Sequence, residues 1–309
     1  MTDNIDLLKI NFDADSLWLV NITLAIIMFG VALDITINDF RNLLKYPKPV
    51  IIGVVSQFIL VPLVTLGLVY LFKPHASIAL GMIMIAACPG GNVSNFMSKL
   101  ANGNTALSIS LTAFATIAAL IMTPVNLAIW GNLYKPTSDI LKTININPIV
   151  VSKLILLILG LPLVLGMFIR YQKPFFAKKI ARFLKPISIL IFIGFISVAF
   201  YNNLAIFKSH IHYVFYLVVI HNLVLYIIGF YTAKIGQVSF QDQKTLSIET
   251  GIQNSGLGLM LVFLFFNGLG GMALLVAFWG IWDIISGLIL ALYWGRKNKS
   301  KNYDTIPFS

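Results

Sequence analysis

Charge is scarce in this 309-residue chain. Asp, Glu, Lys and Arg together make up 11% of it, whereas soluble domains carry about 25%. So few charges cannot cover a water-facing surface, and 58% hydrophobic residues with a mean hydropathy of +0.89 exclude a soluble enzyme. Cysteine is nearly absent: Cys88 alone excludes a disulfide framework and any multi-cysteine metal site. Glutamate occurs once, at Glu249. A basic leader is missing too, since four of the first five charged residues are acidic (Asp3, Asp6, Asp13 and Asp15), so no signal peptide is expected. The formal charge of +11 does not call for nucleic acid. In a chain of this composition, basic residues mark the cytoplasmic loops of a polytopic membrane protein.

What the sequence does have is long apolar runs. A membrane helix needs about 20 mostly apolar residues, and nine such runs are expected, at about 18–36, 48–72, 76–101, 104–131, 147–170, 183–204, 210–235, 241–266 and 271–295. Proline-bearing punctuation such as Lys73-Pro74, Lys135-Pro136 and Lys173-Pro174 separates them. With nine spans and a cytoplasmic C-terminus, only Lys9, Lys73, Lys135, Lys142, Lys153 and Lys208 fall outside, which leaves 16 of the 22 basic residues inside. Retention of basic loops in the cytoplasm therefore predicts an external N-terminus, a cytoplasmic loop over 170–183 and residence in the cell (inner) membrane. Lys244 counts among the cytoplasmic cations on this reading.

Ionisable groups inside a span cost at least roughly 2.5–3.5 kcal/mol and point to function. Glu249 falls inside the eighth span and Asp283 in the middle of the ninth, while Asp34 sits at the inner edge of the first. Glu249 opens a polar, glycine-bearing interruption, Glu249-Thr250-Gly251-Ile252-Gln253-Asn254-Ser255-Gly256, and the third span carries another, Cys88-Pro89-Gly90-Gly91-Asn92-Val93-Ser94-Asn95. Proline removes a backbone donor and glycine permits non-helical backbone. Such backbone survives at membrane depth only inside protein or against a watery cavity. The two broken spans lie five apart, so they run in opposite directions, as in an inverted-topology repeat whose interrupted helices cross at the site. Oxygen ligands gather in the same segments: Ser94, Asn95, Ser108 and Thr112, with Gln57 a lone amide in the second span. Hydroxyls, amides and one carboxylate suit a hard cation, sodium rather than calcium. A carboxylate at Asp283 facing a site for an anion needs a proton or amide hydrogen bonds, with Asn222 as the named candidate.

These segments resemble the bile acid:sodium symporter family. Ala87 to Thr123, ACPGGNVSNFMSKLANGNTALSISLTAFATIAALIMT, is similar to the family's first broken helix and the helix after it, and Ser247 to Asn254, SIETGIQN, to its second. The resemblance covers nearly the whole chain and implies an all-α polytopic membrane protein of the nine-span form. It would have a panel domain (about 18–72 and 147–204) and a core domain (about 76–131 and 210–295). It further implies two sodium sites: one at Ser94, Asn95, Ser108, Thr112 and Glu249, the other at Gln57, Glu249, Thr250, Ile252 and Gln253, with Thr250 and Ile252 offering carbonyls. Substrate contacts are implied near Asn92 and Asn254. Asn92 stands where the family usually shows Thr, and Asp283 where several bacterial members carry His, so both enter the expected substrate pocket.

The expected function is sodium symport of an organic anion, bile-acid-like or a small carboxylate such as pantoate. The expected partners are that small molecule and the bilayer, with no nucleic acid and no obligate protein. The alternatives are a proton-coupled or uncoupled anion carrier and an intramembrane hydrolase. The hydrolase lacks motifs: neither Leu33-Asp34-Ile35 nor Trp282-Asp283-Ile284 resembles an aspartyl protease, and His221 has no nucleophile elbow.

Overall fold

Helices α1 (Leu17–Ala32), α2 (Ile37–Lys45) and α3 (Pro47–Phe72) open the computed structural model, which describes residues 5–6, 17–45, 47–144, 153, 156–202 and 204–303. The chain continues through α4 (Ala76–Ala87), α5 (Val93–Leu100), α6 (Thr105–Leu133), α7 (Lys135–Thr143), α8 (Leu161–Gln172), α9 (Pro174–Asn202), α10 (Leu204–Ile235), α11 (Phe240–Gly251), α12 (Ser255–Phe266) and α13 (Gly270–Tyr303). No strand occurs among the described residues. Among the described residues, four segments are long and apolar enough to cross a bilayer: Pro47–Phe72, Thr105–Leu133, Val214–Ile235 and Gly270–Arg296. Ala76–Ala87 and Ser255–Phe266 are shorter apolar helices.

Both anticipated interruptions are real breaks: the third span divides into α4 and α5, the eighth into α11 and α12. Two expectations shift. The basic stretch after Lys173 is not a loop, because Pro174 opens α9 and carries Lys178, Lys179 and Arg182 on helix. Proline suits a first helical turn, where its missing N–H is not needed. The amphipathic helix α2 was not anticipated; it starts where Asp39 Oδ2 accepts from the Thr36 backbone N–H (2.7 Å) and hydroxyl (2.8 Å), satisfying a free donor at its start. The fifth expected span begins in residues outside those described.

The principal hydrophobic core lies where α4, α12 and α13 meet α3 and α10, with Ile83, Leu261, Leu275 and Trp279 fully or almost fully enclosed. Every residue of α4 from Ser77 to Ala87 is buried, because α3, α6, α7 and α13 surround it. A second group forms around α1, α8 and α9: Leu33 packs against Ala177 and Ala181, and Ala32 against Leu163 and Ala113 of α6.

The two halves repeat one local grammar. α3 ends at Lys73 (φ 45°), α4 and α5 flank a break, and Asn102 (φ 51°) turns the chain into α6. α10 is followed by Gln237 (φ 52°), α11 and α12 flank a break, and Asn267 (φ 49°) turns the chain into α13. These four are the non-glycine residues with left-handed backbone among the described ones, a conformation that closes helix C-termini and that Asn tolerates well.

Candidate functional site

The first break begins at Cys88, which is extended (ψ 155°) because the following proline disfavours helix there. The second begins at Ile252, also extended (ψ 118°), and ends at Asn254, whose Oδ1 accepts from the Leu257 N–H at 3.0 Å and caps α12. The broken segments then satisfy each other. Asn254 N–H donates to Pro89 O (2.9 Å) and Gly91 N–H to Ile252 O (3.2 Å), a short antiparallel pairing around Gly90 and Gln253. A Cβ on Gly91 would stand 3.0 Å from the Gln253 carbonyl oxygen, and one on Gly90 would stand 3.3 Å from Glu249 Oε2. The two glycines are there to let the strands touch.

At this crossing lies Glu249, 6% exposed. Its Oε1 accepts from the Ser94 hydroxyl (2.6 Å) and from the Ser108 hydroxyl, and Oε2 accepts from Thr112 Oγ1 at 3.0 Å. Asn95 Oδ1 in turn accepts from Ser108 (2.9 Å) and Thr112 (3.3 Å). Three helices thus converge: α5 brings Ser94 and Asn95, α6 brings Ser108 and Thr112 one turn apart on one face, and α11 brings the carboxylate. No Lys or Arg is paired with Glu249 among the described residues. A buried carboxylate held only by neutral donors is incomplete as an ion pair. Hydroxyls rotate and present oxygen as readily as hydrogen, so the same five groups can turn lone pairs to a cation.

The second expected cluster is also assembled. Gln57 Nε2 donates to Gln253 Oε1 (2.8 Å) and to Cys88 O (2.9 Å), and Gln253 Nε2 donates to Thr250 O (2.8 Å) and Gln57 Oε1 (3.3 Å). Gln57 reaches the crossing from a π-helical turn, Ser56–Leu60, in α3, a helix defect common at functional sites. The Ile252 carbonyl is already taken by Gly91 N–H. Between the clusters lies a small cavity of about 20 Å³, walled by Gln57, Gly90, Leu111, Ala115, Glu249 and Thr250, room for one water-sized particle.

The expected substrate residues separate. Asn92 is exposed beside the first break, while Asn254 is half-buried with its oxygen committed to the α12 cap. Asp283 lies behind the second break, 3% exposed: Oδ2 accepts from the Gln253 N–H (3.1 Å) and Oδ1 from Asn222 Nδ2 (3.2 Å). Asn222 also donates to Gly251 O at 2.9 Å. The anticipated amide contact is therefore present, and Asp283 braces the unwound backbone. Sequence reasoning missed Lys244: far from a loop cation, it is fully buried and donates to Ala101 O and Asn102 O, both at 2.6 Å. Its polar neighbours Gln241, Asp242 and Gln243 gave it the look of a span edge.

The profile of the sodium bile acid symporter family matches residues 21–210. The uncharacterized sodium-dependent transporter YocS of Bacillus subtilis (strain 168) is 35% identical over 91% of this chain and 84% of its own length. The sodium-dependent organic anion transporter of Mus musculus is 30% identical over 91% of this chain and 74% of its own. The Arabidopsis thaliana chloroplast protein named probable sodium/metabolite cotransporter BASS1 is 29% identical, and the chain spans 66% of its length. With a profile across most of the chain and a relative this similar over nearly all of it, the chain belongs to the sodium bile acid symporter family, a family of transporters and not of enzymes.

Proposed function

We propose that the protein is a secondary transporter that couples sodium entry to movement of a small organic anion across a membrane. One observation carries this reading: Ser94, Asn95, Ser108 and Thr112 converge on the buried Glu249 carboxylate where two broken helices cross. The donor set is all oxygen, and among the described residues no three His, Cys, Asp or Glu side chains gather. That chemistry suits an alkali cation better than a transition metal. The cavity between Glu249 and Gln57 supports a second ion position. It would be completed when the mutually bonded Gln57 and Gln253 amides turn their oxygens inward and Thr250 O is released.

The anion would enter beside Asn92, which lies exposed at the N-terminal end of α5, where the helix dipole favours negative charge once a bound cation offsets Glu249. Asp283 keeps its place in the proposal as the brace of that pocket's wall. α1 to α3 with α8 and α9 read as the panel and α4 to α6 with α10 to α13 as the core, with α3 bringing Gln57 to the crossing. Nine spans with an external N-terminus remain the arrangement that the charge distribution favours.

Flux in proteoliposomes is the test. Uptake of labelled organic anions should follow an inward sodium gradient and collapse when choline replaces sodium. Uptake driven equally by a proton gradient in sodium-free buffer would replace sodium coupling with proton coupling.

A further inference from the structure

α11 carries two charges of opposite sign on its buried length. Lys244 and Glu249 are five residues apart, about 7.5 Å along the axis, with only Thr245, Leu246, Ser247 and Ile248 between them. Both reach the same neighbour. Glu249 accepts from Ser94 in the first turn of α5, and Lys244 donates to Ala101 O and Asn102 O just past its last turn. α5 has eight residues, about 12 Å, so α11 grips it near both ends. The signs match: a helix presents positive charge at its N-terminus and negative at its C-terminus, and α11 offers a carboxylate to the first and an ammonium to the second. Lys244 has no carboxylate within ion-pair distance among the described residues; carbonyl oxygens receive its charge, and the Phe240 ring lies 5.4 Å from Nζ. The neighbouring turn is held as well, since Thr245 Oγ1 accepts from Asn104 N–H (2.8 Å) and Asp242 Oδ1 from Asn104 Nδ2 (2.8 Å).

We propose that Lys244 is a positioning residue of the ion site: together with Glu249 it clamps α5 at both ends and so sets Ser94 and Asn95 in register with the carboxylate. The proposal rests on the sodium reading above. A cation bound at Glu249 cancels the charge that holds the N-terminal end of α5, and Lys244 keeps the other end in place as the ion comes and goes. Without it, each binding event must first re-register α5, and sodium affinity falls.

The test uses Lys244→Met, which keeps length and removes charge and donors, and Lys244→Gln, which keeps a neutral donor. Thr137→Ala serves as a control, because Thr137 is fully buried and donates to Gly131 O at 2.6 Å, away from the site. Two readouts are taken on each purified protein: the sodium midpoint of thermal stabilisation, and the maleimide labelling rate of Cys88, the only cysteine, buried in the first break. Lys244→Met should raise the sodium midpoint by roughly 10–100-fold, as loss of groups supporting metal ligands does. It should also accelerate Cys88 labelling, with Lys244→Gln intermediate and Thr137→Ala like wild type on both. If Lys244→Met does not fold, Lys244→Gln carries the test on the same two readouts. A variant that melts lower yet keeps the wild-type sodium midpoint and labelling rate overturns the clamp, as does a control that moves equally. Absence of any sodium effect on wild type fails the transport reading instead, and Cys88 labelling alone then decides whether Lys244 holds α5.

Discussion

Glu249 accepts three hydroxyl hydrogen bonds without a cationic side chain, so its removal should do more harm than any other single change. Glu249→Ala should abolish sodium-dependent thermal stabilisation and uptake while the helices remain folded, as circular dichroism would show; wild-type sodium stabilisation in this variant would remove Glu249 from the ion site. The two clusters should also be separable. Ser108→Ala or Thr112→Ala should weaken the first site by about tenfold, or about 1.4 kcal/mol, and Gln57→Ala should spare it, because Gln57 bonds to Gln253 and Cys88 O and not to the carboxylate. Sodium titrations of the variants, fitted for slope and midpoint, would separate the two. Asp283 is a different case. Its two oxygens each accept from a donor, so in Asp283→Asn one amide hydrogen must face another donor. A loss of about 1–3 kcal/mol in stability is expected, the usual cost of a buried group left unsatisfied, measurable by thermal or denaturant unfolding.

At the scale of elements, the crossing depends on two breaks meeting closely enough to exchange backbone hydrogen bonds. Gly91→Ala would put a methyl 3.0 Å from the Gln253 carbonyl, tighter than packing allows without a backbone shift. The variant should lose sodium affinity even though no ligand is altered, and should label faster at Cys88. The breaks themselves were legible from the residues: Pro89 with two glycines, and the polar run after Glu249, are helix-stopping chemistry inside apolar spans. Their mutual pairing was not legible, since Pro89 O and Asn254 N–H are 165 positions apart and nothing local selects that partner. The same holds for Lys244. Sequence patterning treats a lysine beside Gln241, Asp242 and Gln243 as a solvated edge, and only the approach of α5 supplies the carbonyls that bury it.

At the scale of the molecule, an external N-terminus and a cytoplasmic start of α9 have a direct test. In a Cys88→Ala background, Asp6→Cys should react with a membrane-impermeant maleimide in sealed right-side-out cells, whereas Phe176→Cys should react only after permeabilisation. Phe176 is exposed and lies in the basic first turns of α9, so failure to label from outside would reflect sidedness and not burial. Labelling of Phe176→Cys from outside would sink the nine-span arrangement. Each occupied sodium site should further stabilise the whole fold by about 2.7 kcal/mol when sodium stands at 100 times its dissociation constant.

Composition and hydropathy sufficed for the solvent, the all-helical class and the two broken helices, because these follow from the cost of exposing polar backbone to lipid and from the local stereochemistry of proline and glycine. Residue type and spacing also pointed to the hydroxyls, amides and carboxylate that gather at the crossing. What waited for tertiary structure was every relation made across long sequence separations: the backbone pairing of the two breaks, the hydrogen bond from the Gln253 N–H to Asp283, the mutual bonding of Gln57 and Gln253, and the burial of Lys244 against the end of α5. Each depends on which helix ends meet in space, and a hydrogen bond between residues thirty or more positions apart leaves no periodic trace in the chain that forms it.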